Sequence, residues 1–366
     1  MKKRGFLFSF LIFAFLFVFG SSGKGEEKDS LRIVYRDAID KIIAGRLALL
    51  RERKREAQLD FLNAIDRLDR IRFAFEHDPL FVFLRGLALA WIEVERPDGH
   101  TEHKKEEALS LLNELRRNQP DFARGAVLNQ IASLCMELGR FEEAAQAYGE
   151  LDRLPFFRPV LAPPEPISLE ERLWMSLFDW PEPATIALNW AEAEMLAQRL
   201  ERAVGLYRLA EARAEAGSLE LALARFGLAL AEERRGNHEE ALRQAKAAMG
   251  SWLPNAGDPL AQRLQAAHGS LAPLHHPGVV YHPPWERFAY EALAKEAIAT
   301  DLLDAEQKKQ VLREACGAWR RFFAWGGEAS PYAKQACFAL ERLSKHCSTA
   351  QSEGIPCHGG GKNGFF

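Results

Sequence analysis

The chain has 366 residues, 48% of them hydrophobic and 27% charged, which are the proportions of an ordinary globular protein rather than a disordered or membrane-embedded one. Its 48 basic and 51 acidic residues leave a formal net charge of -3. With no basic surplus to grip a phosphate backbone, nucleic acid is not expected as a partner.

Lys2, Lys3 and Arg4 precede an apolar run over residues 6–19 that only Ser9 breaks, and Gly20, Ser21, Ser22 and Gly23 supply the small residues signal peptidase needs. Residues 1–23 therefore read as a signal peptide of bacterial type, and the rest of the chain as exported, periplasmic or secreted. The run is shorter than the ~20 residues of a membrane-spanning helix, so cleavage near Ser22 or Gly23 is expected over a retained anchor. Membrane contact would come only through an uncleaved leader. No cysteine follows the small residues to accept a lipid.

Residues 30–76 read as N-terminal capping helices, one long or two packed. Ile39, Ile42, Ile43, Leu47, Leu50, Phe61, Ile65, Leu68 and Phe75 form the stripe, which the charged run RERKRE splits. A solvated charged face is expected there over an oligomerising coiled coil. From 81 to 250 the apolar period is helical and the helices are short and punctuated. The stretch LGRFEEAAQAY at 138–148 is echoed by RGNHEEALRQA at 235–245. Gly139 is followed by Phe141, Ala144, Tyr148 and Leu151, and Gly236 by His238, Ala241, Ala245 and Ala248. Each set is the inward face of a second helix after a glycine turn, with alanine where two helices cross most closely. Upstream, Leu128, Ile131, Ala132 and Cys135 offer the matching face of a first helix.

This spacing resembles the tetratricopeptide repeat, a helix-turn-helix unit of about 34 residues. One copy covers 125–155. A second covers 184–217, with Trp190, Ala191, Ala203, Tyr207 and Ala210 in place but Gln198 at the turn glycine. A third covers 222–250, with Leu228, Ala229, Gly236 and Ala241. A degenerate copy at 81–120 carries Leu84, Leu87, Ala88 and Trp91, then Ala108, Leu112 and Leu115 after the insertion VERPDGHTEHKK. Proline-rich insertions follow at 153–183, with a short helix near 169–178, and at 251–285. Residues 286–346 combine a degenerate repeat with a C-terminal capping helix. In the repeat, Tyr290, Leu293, Ala294 and Ala297 pair with Ala315, Trp319 and Phe322 around a further insertion. The cap starts at Ser330 and Pro331 and ends near His346. Residues 347–366 read as a flexible tail.

Five cysteines leave one unpaired. Cys316 and Cys337 flank the turn WGGEASP and come level in an antiparallel hairpin, while Cys347 and Cys357 enclose a short polar loop. Cys337 with Cys347 is disfavoured, because ten residues of continuous helix would hold them roughly 15 Å apart. Cys135 is left over as a small buried hydrophobe.

Catalytic signatures are absent: there is no His-Glu-x-x-His, Gly-x-Ser-x-Gly or Cys-x-x-Cys. The tail GIPCHGGGKNGFF departs from a phosphate loop, since Pro356 stands at the first glycine and neither Ser nor Thr follows Lys362. Cys357-His358 lacks the preceding cysteine of a haem-attachment site. His275, His276 and His282 crowd one loop, but adjacent histidines seldom face one ion and no acid or cysteine completes a set. No enzyme activity, metal or cofactor is expected.

The resemblance implies an all-α, right-handed superhelical solenoid with helical caps and two proline-rich insertions. Its concave groove would be lined by Arg85, Asn129, Ser133, Asn189, Glu192 and Glu233, a mixed set unsuited to capturing a terminal carboxylate. It further implies a non-catalytic adaptor for other envelope proteins or peptides. Two alternatives stand beside it. A glycan- or wall-associated enzyme would need a catalytic domain for which little chain remains. A metal or redox protein would use the 275–282 loop and the C-terminal cysteines.

Overall fold

The structure, a computed structural model, describes residues 25–95, 101–155, 177, 181–254 and 257–347. The leader, most of the 153–183 insertion with its expected short helix, and the tail after 347 lie outside the described residues. Apart from one small hairpin, the regular structure described is helical throughout, so the fold is all-α. It divides into two compact units, one reaching Phe122 and the other starting at Ala123.

In the first unit α1 (Gly25–Leu50) packs along α2 (Lys54–Asp69), and after the single turn α3 (Arg72–Phe75), α4 (Pro79–Ala90) packs on α5 (Lys105–Asn118). The Asp78 carboxylate caps α4 by accepting from the Leu80 and Phe81 amides, with Pro79 in the first turn. The insertion in this pair forms the hairpin β1 (Glu93–Glu95) and β2 (Thr101–His103), antiparallel with Val94 opposite Glu102. The Gln58 side chain ties its start to α2, donating to the Trp91 carbonyl and accepting from the Glu93 amide at 2.9 Å each.

The second unit continues with α6 (Arg124–Glu137) and α7 (Phe141–Leu151), α8 (Pro183–Leu196) and α9 (Leu200–Arg213), and α10 (Leu219–Arg234) and α11 (His238–Met249). Then come α12 (Pro259–His268), a 3-10 turn (Gly269–His275), α13 (Glu286–Asp301) and α14 (Ala305–Ala324), and after a second 3-10 turn (Gly327–Ala329), α15 (Ala333–Arg342). Consecutive helices pack as antiparallel pairs, and α8 also packs on α7 and α10.

One turn recurs in four of these pairs. Glu52, Gly139, Gln198 and Gly236 all have positive φ, between 60° and 85°. In each turn this residue's amide bonds the carbonyl three before it: Glu52 to Leu49, Gly139 to Met136, Gln198 to Met195, and Gly236 to Glu233. The next amide reaches back five: Arg53 to Ala48, Arg140 to Cys135, Arg199 to Glu194, and Asn237 to Glu232, at 2.8–2.9 Å. That pair of bonds is the Schellman motif, which satisfies carbonyls a helix end leaves open and reverses the chain. Five residues beyond each turn stands an alanine with no exposed surface, Ala57, Ala144, Ala203 or Ala241. Nine beyond stand Phe61, Tyr148, Tyr207 and Ala245, also buried. The first pair thus shares the geometry of the others although its turn has no glycine, and the 30–76 segment is two packed helices followed by the single turn α3.

Three expectations need correction. No insertion separates α13 from α14; Leu302 and Leu303 join them, with Asp304 capping α14 by accepting from the Gln307 amide. The polar run after Asp304 is a solvated helix face, since its Glu, Gln, Lys and Arg residues favour helix. The C-terminal helix begins at Ala333 rather than Ser330, whose hydroxyl instead accepts from the Tyr332 amide at 3.2 Å, and it stops at Arg342. Because it stops there, the chain turns and carries Cys347 onto α14. Cys316 is bonded to Cys347, with Cα atoms 5.8 Å apart, which rules out both the Cys316–Cys337 and the Cys347–Cys357 pairings. Cys337 is disulfide-bonded as well, and Cys357 lies outside the described residues. Cys135 is free and buried.

A left-handed conformation costs an ordinary L-residue roughly 1–2 kcal/mol. Gln198→Gly should therefore stabilise the fold by about 1 kcal/mol, net of the extra entropy glycine loses on folding, as read by urea denaturation. Replacing Cys316 and Cys347 by alanine together should lower stability by roughly 3.7 kcal/mol under oxidising conditions, the loop-closure value for their separation of 31 residues.

Candidate functional site

Polar side chains gather on the first helices of the second unit. Asn129 and Ser133 lie one turn apart on α6, and Asn189 and Glu192 lie three residues apart on α8, all four partly accessible. Ser133 and Glu192 each stand six residues before the left-handed residue of their turn, so they occupy the same register in successive pairs. Second helices reach up between them. Tyr148 of α7 is in hydrogen-bonding contact with Ser133 and Asn189. Tyr207 of α9 lies flat against α10 at Gly227, where a Cβ would fall 2.1 Å from the ring. Glycine is required there by that close approach rather than by a turn.

From α13 come Glu286 and Tyr290. The Tyr290 hydroxyl faces that of Tyr207 and is coupled to it, although the Tyr207 hydroxyl does not reach hydrogen-bond geometry with any partner. Tyr281, in the segment leading to α13, packs its ring 5.6 Å from that of Tyr290 and donates its hydroxyl to the Leu274 carbonyl at 3.0 Å.

At the end of α10, Arg234 is buried and ion-paired through Nη2 to Oε2 of Glu286, itself 1% exposed. The guanidinium lies over the Tyr332 ring, 4.0 Å from its centroid, and the Tyr332 hydroxyl donates to the Met195 carbonyl. Burial pulls the Arg234 proton affinity down, but Glu286 together with Tyr332 and Tyr290 more than offsets it, so the guanidinium stays charged. Among the described residues, Arg234 Nη1, Glu286 Oε1 and the Tyr207 hydroxyl have no hydrogen-bond partner.

Glu192 differs from these paired groups. Among the described residues it has no hydrogen-bond or ion-pair partner, and protein surrounds it while part of its surface stays accessible. Burial first, and the negative charge of Glu286 second, push its carboxyl up to about 8, against a smaller opposing pull from Arg234. Burial also raises the hydroxyls of Tyr148, Tyr207, Tyr281 and Tyr290, and all four respond to the Glu192 charge. A carboxyl poised near neutrality among neutral phenols is a frequent mark of a functional site.

The other two groove candidates lie elsewhere. Glu233 is buried, and both its oxygens are engaged, Oε1 with Arg342 Nη2 at 2.9 Å and Oε2 with His238 Nδ1 at 2.7 Å. Arg342 also donates to Glu296 Oε2 at 2.9 Å, and Glu296 Oε1 accepts from the Trp319 indole at 2.9 Å. That network locks α10, α13, α14 and α15 together. Arg85 belongs to the first unit, where it pairs with Asp69 and Glu107.

The loop histidines do not converge. His275 stacks on His268 with centroids 3.7 Å apart, while His276 packs edge-on against Trp252 and accepts from the Gly278 amide. His282 precedes the cis-proline Pro283. Among the described residues no three His, Cys, Asp or Glu side chains are grouped to hold a metal. No helix among them is long and apolar enough to cross a membrane.

Sequence reading missed Arg234 and Glu286 as site residues. Each sits at a helix end, where a charge is ordinary, and only their burial against each other across 52 residues marks them. Neither a protein-family model nor a curated protein matches this sequence.

An unfolded Glu192 releases its proton near 4.5, whereas the folded one holds it to about 8. Stability from this group is therefore fully present below pH 4.5 and is lost as pH rises towards 8. Glu192→Gln should flatten that decline and raise the melting temperature at pH 8 more than at pH 5, as followed by thermal denaturation across the range.

Proposed function

We propose that this protein is an exported, non-catalytic scaffold of the bacterial cell envelope. Stacked tetratricopeptide-like hairpins would build a superhelical solenoid whose first-helix face takes up an extended segment or helix of a partner protein. The observation that carries the reading is the recurrence of one Schellman-turned, alanine-crossed hairpin, with Ser133 and Glu192 in equal register on successive first helices. A helix pair repeated in one geometry stacks with its neighbours and leaves the first-helix side chains as a continuous surface. Asn129, Ser133, Asn189 and Glu192 are the partly accessible polar members of that surface. The lysine- and arginine-rich leader and apolar run support export.

A photo-reactive residue placed at Asn129 or Asn189 in intact cells tests this, with Arg243, 69% exposed on α11, as control. The expected result is a saturable crosslink to one envelope protein from both first-helix positions and none from position 243. It should disappear when Asn189→Trp fills the surface. Equal crosslinking from all three positions, or none from the first helices, would overturn the scaffold reading.

A further inference from the structure

The segment that follows α11 is lightly held and carries a pair of imidazoles. In α12 Ala261 alone is buried, and the 3-10 turn behind it adds Ala272, Pro273 and Leu274. Between this segment and the end of α11 lies a cavity of about 220 Å³, with Met249 and Trp252 on one side and Gln265, Gly269, Ser270 and Pro273 on the other. Few buried apolar residues and an unfilled seam give a part that opens more readily than the whole unit unfolds. His268, the last residue of α12, and His275, the last of the turn, close the segment on itself, their rings parallel to within 4° and their centroids 3.7 Å apart. His275 Nε2 lies 3.7 Å from Glu291 Oε1 of α13, but that carboxylate is already matched by Arg287 and Arg321, each at 3.2 Å. The charged groups acting most strongly on His275 are His268 and, from α13, Glu291, Arg287 and Lys295. None of these comes from α10 or α11, the other helices packed on the turn.

We propose that the stack of His268 and His275 is an acid-sensitive clasp: with both imidazoles protonated, like charges meet at stacking distance and the 258–276 segment lifts from α10, α11 and α13. This device is independent of the scaffold reading. Neutral rings stack without penalty, whereas two positive rings at that distance repel, the more so where one is partly buried. Burial first, and the charge of His268 second, hold His275 below the usual histidine value of 6.5, against an opposing pull from Glu291. In the lifted segment His275 returns towards 6.5. The closed state therefore has its full stability above about 6.5 and loses it as pH falls through the lowered folded value. Lifting parts the Leu274 carbonyl from the Tyr281 hydroxyl and uncovers Met249 and Trp252. Apolar surface at the end of α11 is thus presented in acid and covered at neutral pH.

Hydrogen exchange of the full chain between about pH 7.5 and 5, corrected for the intrinsic pH dependence of exchange, tests the clasp. The α6–α7 pair, 124–151, contains no histidine and serves as the internal control. Protection over 258–276 should fall roughly threefold or more relative to that control as the solution is acidified. By NMR, the His275 ring should titrate at lower pH in the folded chain than in the urea-unfolded one. His275→Phe keeps an aromatic ring on the stack without the charge, and should hold protection at its neutral value through the acid range. His268→Phe should raise the His275 midpoint, because the neighbouring charge is gone. Loss of protection that only tracks the control, a His275 midpoint at or above the unfolded one, or an acid response unchanged in His275→Phe would each overturn the proposal. If His275→Phe loosens the segment already at neutral pH, the His268→Phe midpoint decides: a rise supports the clasp, and no change overturns it.

Discussion

The fold depends on how a helix ends. In four helix pairs the chain passes through one left-handed residue, so that two amides reach back to carbonyls the helix would otherwise leave open. Reversal at that point fixes which residue of the second helix first meets the first. At that position the chain places alanine each time, and Ala57, Ala144, Ala203 and Ala241 are fully buried because only a methyl fits between the two backbones. Everything that follows on the second helix, including the tyrosines nine residues on, takes its direction from this contact. The turn tolerates Glu52 and Gln198 at some cost in backbone strain, since the two hydrogen bonds and the packed alanine hold the conformation in place.

Two of the charged clusters in the second unit differ in how they are matched. Around Glu233 and Glu296 the carboxylates are matched by Arg342, His238 and Trp319, so the network is satisfied and rigidifies the end of the chain. The Cys316–Cys347 bond reinforces the same region by holding the turn after α15 against α14. Around Arg234 and Glu286, which compensate each other, Glu192 has no hydrogen-bond or ion-pair partner among the described residues. Carrying such a group lowers stability as pH rises towards 8.

Composition and period showed the helices, their pairing and the alanines of the 125–155, 184–217 and 222–250 copies. Ala144, Ala203 and Ala241 are where that pattern puts them. For the first segment the sequence left one long helix or two packed ones open, because the turn residue is Glu52, which carries no turn signal and reads as part of a charged run. The α13–α14 connection was misread because the polar residues after Asp304 resemble a loop until the opposite face of the helix is seen to be buried. Ser133, Asn189 and Glu192 came from the groove positions of the resembled family, and the structure puts Ser133 and Glu192 at the same distance from their turns. Glu233, only a few residues from the same turn, is one helical step away and points into Arg342 and His238 instead.

By itself the sequence determined that this chain is helical, that its helices come in pairs, and which small residues lie at their crossings. These follow from local rules, the 3.6-residue period and the geometry of a helix end, which act within some ten residues. Tertiary structure alone decided that Cys316 meets Cys347, that Arg234 is consumed by Glu286 across 52 residues, and that burial raises the Glu192 carboxyl. Those outcomes depend on which helix faces turn towards one another after packing. That information is held in the sum of many weak contacts distributed along the chain rather than in any stretch of it.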